Sequence, residues 1–242
     1  MSRFLAGQGF DRAGGQGHVK MNPSDFILAT DLDGTLKKKG EQLSGAVLQE
    51  LQRLKSLGMK LVIVTGRCMQ ELGEVVDLAL FDAAVAENGA VISAGGNDII
   101  IAPNGWWSLR RSLVDRFGSG CERVIISLPR GTIIDLDDLE GVKVEYNKDR
   151  VMLLPEGVSK KIGLMKAVEY LRLQNRKIIA VGDGENDASL LSCGDLKIAL
   201  KNSVAELKLM ADIIADEEDG EGFFCMSCRS SFQSQTFKSK YD

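Results

Sequence analysis

The chain has 242 residues, 44% of them hydrophobic and 26% charged, which excludes a disordered or fibrous protein and leaves room for one to two domains. Its 30 basic and 34 acidic residues give a net charge of −4, so there is no bulk attraction toward nucleic acid or an anionic membrane. No apolar run approaches the roughly 20 residues that span a bilayer, and a soluble chain is expected.

Residues 1–24 hold five glycines (Gly7, Gly9, Gly14, Gly15, Gly17) and no sustained apolar segment, which reads as a loose leader rather than a secretory signal. The run FILATD at 26–31 has the length of a buried strand. Residues 43–57 then place Leu43, Val47, Leu51, Leu54 and Leu57 on one helical face, with Gly58 just past the end. KLVIVT at 60–65 predicts a second buried strand, residues 69–80 a helix, and AAVAE at 83–87 a third strand. Continuously apolar strands alternating with helices predict an α/β fold: a doubly wound parallel sheet covered on both faces.

After Ala90 the rhythm changes. Residues 91–155 carry short strand-like runs, one helix around 107–117, and a hairpin of 142–146 with 150–154, joined by the turn residues Asn147-Lys148-Asp149. This predicts a small α+β cap over 91–156, inserted between two parts of a core at 25–90 and 157–224. From Ser159 the first rhythm resumes, with a helix to about 173, a strand at 177–181, and a helix after Asn186. A strand at 196–200, a helix at 203–210 and a short strand at 212–215 follow. The Ser- and Lys-rich stretch 225–242 reads as a peripheral tail.

Several chemistries fall away on composition. The chain has one histidine, His18 in the Gly-rich leader, so Ser–His–Asp and Cys–His hydrolases and His-ligated catalytic zinc are disfavoured. Cysteines 68, 121, 193, 225 and 228 are odd in number and scattered, which predicts a reducing, cytoplasmic setting without a disulfide framework. Cys225 and Cys228 lack the second pair that zinc requires. No P-loop occurs, and calcium-loop spacing fails: the positions needing Gly and Glu are Leu36 and Gln42 counted from Asp31, and Ala188 and Gly194 counted from Asp183.

What remains lies at the ends of predicted strands, where open parallel sheets bind ligands. The first strand runs into Asp31-Leu32-Asp33-Gly34-Thr35-Leu36, the second into Thr65-Gly66-Arg67, and a later one into Gly182-Asp183-Gly184-Glu185-Asn186-Asp187. Carboxylates from two remote segments therefore meet at one edge. Two like charges about 4 Å apart repel by roughly 4 kcal/mol at an effective dielectric near 20. A hard divalent cation relieves that repulsion, and Mg2+ is the usual choice where a phosphate completes its shell.

DLDGTL, TGR, Gly157-Val158-Ser159-Lys160 and GDGEND, in that order, resemble the four motifs of the haloacid dehalogenase superfamily of phosphatases, over about 26–223. The insertion after AENGA (86–90) resembles the Cof-like branch with a type IIB α+β cap. The short cap and the stretch ADIIADEEDGEGF are similar to archaeal-type phosphoglycolate phosphatases and sucrose-phosphatase-like proteins. The resemblance implies a Mg2+-dependent phosphomonoesterase for a small phosphorylated metabolite, phosphoglycolate or a sugar phosphate. Asp31 is then the nucleophile, forming an aspartyl-phosphate, and Asp33 the general acid and base, its pKa raised by acidic neighbours. Asp31, the Asp33 carbonyl, Asp183 and Asp187 are the implied metal ligands. Thr65, Gly66, Asn186 and Lys160 are the implied phosphate-site residues, with Lys161 a rival for the lysine. Arg67 stays open between a surface ion pair and a substrate contact, while Trp106 and Trp107 are assigned to cap packing. Phosphomannomutase-type mutases share these motifs, so a mutase and a catalytically silent phosphate-binding module are the competing functions.

Overall fold

The computed structural model describes residues 22–135 and 140–223. The leader up to 21, His18, and the tail with Cys225 and Cys228 lie outside the described residues. Strands β1 (Phe26–Thr30), β2 (Lys60–Val64), β3 (Ala83–Ala86), β4 (Val91–Ala94) and β5 (Asn97–Ile100) come first. The strands β6 (Ile126–Pro129), β7 (Val142–Asn147) and β8 (Arg150–Pro155) follow, and β9 (Lys177–Gly182), β10 (Leu196–Ala199) and β11 (Ile213–Ile214) are the last among the described residues. The helices are α1 (Gly45–Ser56), α2 (Met69–Val75), α3 (Trp106–Phe117), α4 (Lys160–Tyr170), α5 (Ala188–Leu191) and α6 (Ala205–Met210).

One eight-stranded sheet has the order β11-β10-β9-β1-β2-β3-β4-β5. The strands from β11 to β3 are parallel, as the apolar runs predict. Alternation along β1 assigns the two faces: Phe26 and Leu28 pack with Val47, Leu51 and Leu54 of α1, while Ile27 and Ala29 pack with Leu164 and Ala167 of α4 and Leu190 of α5. The chain runs outward from β1 through β2 to β3, and later outward from β9 through β10 to β11. Strand order therefore reverses between β1 and β9, the crevice where doubly wound sheets place their ligands.

Local signals explain the element ends. Ser44 Oγ accepts from the Val47 amide (3.3 Å) and starts α1, and Gly58, at φ +89°, ends it. The helix predicted over 69–80 stops at Val75, because the Asp77 carboxylate takes the Ala79 amide (3.0 Å) and opens a separate 3-10 turn, Leu78–Leu80.

The cap boundary is corrected. Residues 91–100, expected in the cap, form β4 and β5, which continue the large sheet antiparallel to β3. Gly95 and Gly96, both at positive φ, make the tight reversal that folds β5 back on β4. The cap proper consists of α3 and a three-stranded antiparallel sheet of order β6-β8-β7. Its core gathers Trp106, Leu113, Val124, Ile126, Val151 and Leu153, with Trp106 Nε1 donating to the Val124 carbonyl (3.1 Å). Trp107 is exposed.

The cysteine reading is corrected as well. Cys68, at the start of α2, and Cys121, in the cap between α3 and β6, form a disulfide with Cα atoms 6.3 Å apart. They are 53 residues apart in sequence, and only the docking of cap on core brings them together. Beside them the buried Glu87 carboxylate accepts the amides of Arg123 (2.8 Å), Val124 (2.7 Å) and Ile125 (3.1 Å), tying the end of β3 to the cap. Among the described residues, no helix is long and apolar enough to cross a membrane.

Candidate active site

Because β1 and β9 are adjacent and parallel, Thr30 pairs with Val181 and the segments after them leave the sheet side by side. The Asp31 amide donates to the Val181 carbonyl (3.0 Å). The chain then turns through Gly184, and the 3-10 turn Glu185–Asp187 brings Asp187 back so that its carboxylate accepts the amides of Asp183 (3.0 Å) and Gly184 (2.9 Å). One carboxylate oxygen from each of Asp31, Asp183 and Asp187 falls within 4.8 Å of the others, all three residues buried.

Two glycines leave room for this cluster. A Cβ on Gly34, which sits at φ +86°, would lie 2.2 Å from Asp183 Oδ2, and a Cβ on Gly182 would lie 2.6 Å from Asp187 Cβ. Thr35 Oγ1 donates to Asp183 Oδ1 (3.0 Å), and Asn202 Nδ2 donates to both the Gly34 carbonyl (2.8 Å) and Asp183 Oδ2 (3.3 Å).

Of the two candidate lysines, it is Lys160 that the fold brings to the carboxylates. Ser159 Oγ caps α4 by accepting the Ile162 amide (3.3 Å), and Gly163 lets the helix pass so near Gly89 that a Cβ would sit 2.5 Å from its Cα. This close crossing buries the Lys160 side chain, whose Nζ donates to Asp31 Oδ1 (2.7 Å) and Asp187 Oδ1 (2.5 Å). Lys161 is exposed on the same helix. Burial works against the Lys160 charge, but Asp187 and Asp31 more than offset it and hold the ammonium protonated. Asp31 has its pKa driven well above the ordinary carboxylate value by burial; Lys160 opposes that rise, and Asp187 and Asp183 add to it. Asp183 is pushed up to about 6, by burial first and then by Asp187.

Asp33 departs from expectation. Its side chain stands apart from the three clustered carboxylates, gripped by Arg67 Nε (2.5 Å), Arg67 Nη2 (3.0 Å) and Lys37 Nζ (2.8 Å). Burial pulls its pKa upward, but the hydrogen bonds from Arg67 and Lys37 outweigh it, and the carboxyl lies below its usual range rather than above. Arg67 is thereby an ion-pair partner of Asp33, neither a loose surface charge nor an unattached group.

Thr65 is buried, its amide donating to the Val85 carbonyl (2.8 Å) and its hydroxyl accepting from the Arg67 amide (3.2 Å). Gly66 faces a side-chain bridge in which Asn186 Nδ2 donates to Asn88 Oδ1 (2.9 Å) and Asn88 Nδ2 donates to Glu145 of the cap (3.1 Å). Asn186 Oδ1 is buried without a partner. A cleft of about 480 Å3 opens between cap and core here, lined by Arg130, Lys143, Glu145, Tyr146, Glu185 and Asn186.

The donor set is all oxygen and anionic, three carboxylates facing the two ammonium groups of Lys160 and Lys148, and it suits a hard divalent cation. The profile of the haloacid dehalogenase-like hydrolases matches residues 28–104 and 136–224. The chain belongs to that family. This makes it an enzyme of the phosphatase class within the haloacid dehalogenase superfamily. "Phosphoglycolate phosphatase 2" of Saccharolobus solfataricus is 29% identical over 217 residues, covering 84% of this chain and 91% of that one. A haloacid dehalogenase-like hydrolase from B. subtilis superposes with a TM-score of 0.68 at 18% identity, over 84% of this chain and 99% of its own. A subclass IIB sugar phosphatase of the superfamily superposes with a TM-score of 0.60 at 17% identity, over 78% and 92%. The two structural likenesses show a shared fold.

Sequence reasoning missed three contributors to this hydrolase site. Asn202 follows β10, and the strand-end rule extended to that strand would have found it. Lys37 grips Asp33 from four residues on, a spacing that carries a signal only on a helix. Lys148, in the turn between β7 and β8, ion-pairs with Asp183 across the seam. Nothing in a turn tripeptide announces that contact, which depends on how the cap docks.

Proposed function

We propose that this hydrolase is a Mg2+-dependent phosphomonoesterase that cleaves a small phosphorylated metabolite through an aspartyl-phosphate, with phosphoglycolate the first substrate to try. The observation that carries the reading is the convergence of Asp31, Asp183 and Asp187 around the buried Lys160 ammonium. Asp31, Asp183 and Asp187, with the Asp33 carbonyl, are the residues to hold the cation. When bound, it neutralises charge on the carboxylates and on the phosphoryl oxygens.

In the first half-reaction an Asp31 carboxylate oxygen attacks phosphorus, the bond from phosphorus to the ester oxygen breaks, and Asp33 delivers a proton to the departing oxygen. Lys160 holds Asp31 in place and offers positive charge to the phosphoryl group. In the second, Asp33 accepts a proton from a water that attacks phosphorus, releasing phosphate and restoring Asp31. The ion pairs of Asp33 with Arg67 and Lys37 favour its ionised form, the one this second step needs. For the first step, a phosphoryl group drawing Arg67 away from Asp33 permits protonation.

The test is phosphate release from 2-phosphoglycolate and from 4-nitrophenyl phosphate. Release with Mg2+, its loss on chelation, and its loss by at least about a thousandfold in Asp31→Asn with an unchanged circular dichroism spectrum are the expected results. An Asp31→Asn variant retaining turnover within tenfold of the parent overturns the mechanism. A product with the phosphate moved within a hexose, and none released, would identify a mutase instead.

A further inference from the structure

The turn joining β7 to β8 is clasped to the core through consecutive residues. The Lys148 amide donates to Glu185 Oε2 (3.0 Å), while its carbonyl accepts from Arg130 Nη1 (2.7 Å), which also reaches Glu185 Oε1 (2.9 Å). The next residue, Asp149, takes Lys39 Nζ on both carboxylate oxygens (2.5 and 2.6 Å). Lys148 itself lies at φ +46°, the left-handed region that side chains other than glycine enter at a cost. That conformation sends its ammonium across the seam to Asp183, within electrostatic reach of Asp31. Beside it, the Oδ1 atoms of Asn147 and Asn186 lack partners and converge on Gly184, where a Cβ would lie 2.4 Å from the first and 3.0 Å from the second. Those two oxygens can only accept, so they call for a donor on any ligand, and the Lys148 ammonium is the group beside them that can hold an anion.

We propose that Lys148 is the specificity-determining residue of the cap, reading a second anionic group, a carboxylate, on the leaving side of the phosphoester; the proposal rests on the phosphomonoesterase reading above. Attack on phosphorus by Asp31, from the sheet edge, sends the leaving oxygen away from the sheet and toward the cap. The phosphoryl group is already met from the core by Lys160. The neighbouring cap cations are committed, Arg130 to Glu185 and Lys143 to Glu145 (2.5 Å). Lys148 is the cap cation that reaches the clustered carboxylates, and a substrate carboxylate can take over its ion pair as Asp183 turns to other ligands. The substrate class is then small phosphorylated hydroxy acids, whose carboxylate lies one or two bonds beyond the ester carbon.

The experiment compares kcat/KM for 2-phosphoglycolate with that for 4-nitrophenyl phosphate, whose leaving group carries no carboxylate, in the wild type, Lys148→Met and Lys148→Arg. The ratio is expected to fall by about tenfold or more in Lys148→Met, through KM for 2-phosphoglycolate, and to recover largely in Lys148→Arg. Calorimetric titration of 2-phosphoglycolate into Asp31→Asn, with and without Lys148→Met, reads the same loss as weaker binding without turnover. An unchanged ratio with unchanged binding overturns the proposal. So does an equal fall for both substrates, which would place Lys148 on the phosphoryl group. A wild type that releases phosphate from neither substrate strikes the phosphomonoesterase reading itself, and the two failures are distinct.

Discussion

Gly34 occupies the point where the chain leaves β1 and turns beneath Asp183. Replacing it with alanine sets a methyl against the Asp183 carboxylate and forces a side chain to φ +86°. Both effects push the same way. Gly34→Ala is expected to lose about 2 kcal/mol or more of stability, measured by denaturant unfolding, together with most turnover. Asp183 itself carries a pH signature. A carboxylate whose folded pKa lies above its unfolded value favours the folded state when protonated, so its contribution fades as pH climbs from about 4 through its folded value of about 6. Asp33, held below its usual range, contributes stability that is complete above about pH 4 and lost only below it. In protein stripped of divalent cations, Tm should therefore fall between about pH 4 and pH 7, Asp183 alone contributing the equivalent of up to about 3 kcal/mol and Asp31, also raised, adding to the slope. Thermal melts in EDTA should show that slope, and Asp183→Asn should make it shallower. At this scale the strand-end letters pointed to the meeting of Asp31, Asp183 and Asp187, but also placed the Asp33 carboxylate with them, where it does not lie. They could not tell that Arg67 and Lys37 would claim Asp33, because a charge partner contributed by another strand's loop leaves no periodic mark.

Among the elements, the turn at Glu87–Gly89 between β3 and β4 does two jobs. It supports α4, and through the Glu87 carboxylate it receives three consecutive cap amides. Glu87→Gln can satisfy fewer of those donors and loses the charge, so a cost of about 1–3 kcal/mol is expected. Hydrogen exchange at the amides of Arg123, Val124 and Ile125 should quicken selectively; uniform quickening across the cap would count against this local role. The core strands were legible because burial on both faces makes each a continuous apolar run with one available reading. The hairpin β4–β5 was harder. Its short, half-polar segments state that they are strands, but sheet membership is settled by pairing with β3, and pairing is nonlocal. The Cys68–Cys121 link was hidden for the same reason, since neither residue lies in a recognisable spacing.

On the scale of the whole molecule, the cap is attached unequally along its two margins. One margin carries the disulfide and the buried Glu87 contacts. The other is held by polar contacts, two of them ion pairs open to solvent, Lys39 with Asp149 at 58% and 64% exposure and Arg130 with Glu185 at 47% and 30%, beside the half-exposed Lys148 on the buried Asp183. Exposed pairs contribute at most about 1 kcal/mol each and weaken as salt shortens the Debye length. Raising ionic strength from about 0.05 to 0.5 M should therefore lower hydrogen-exchange protection across β7 and β8 severalfold while leaving the amides at 123–125 nearly unaffected. Equal loosening of both margins would refute the asymmetry. Because the tripeptide 147–149 rides on the weakly fastened margin, the proposed carboxylate reader would be coupled to the loosening of the cap: an outward swing of that tip would carry Lys148 away from Asp183 and release a ligand held there in the same stroke.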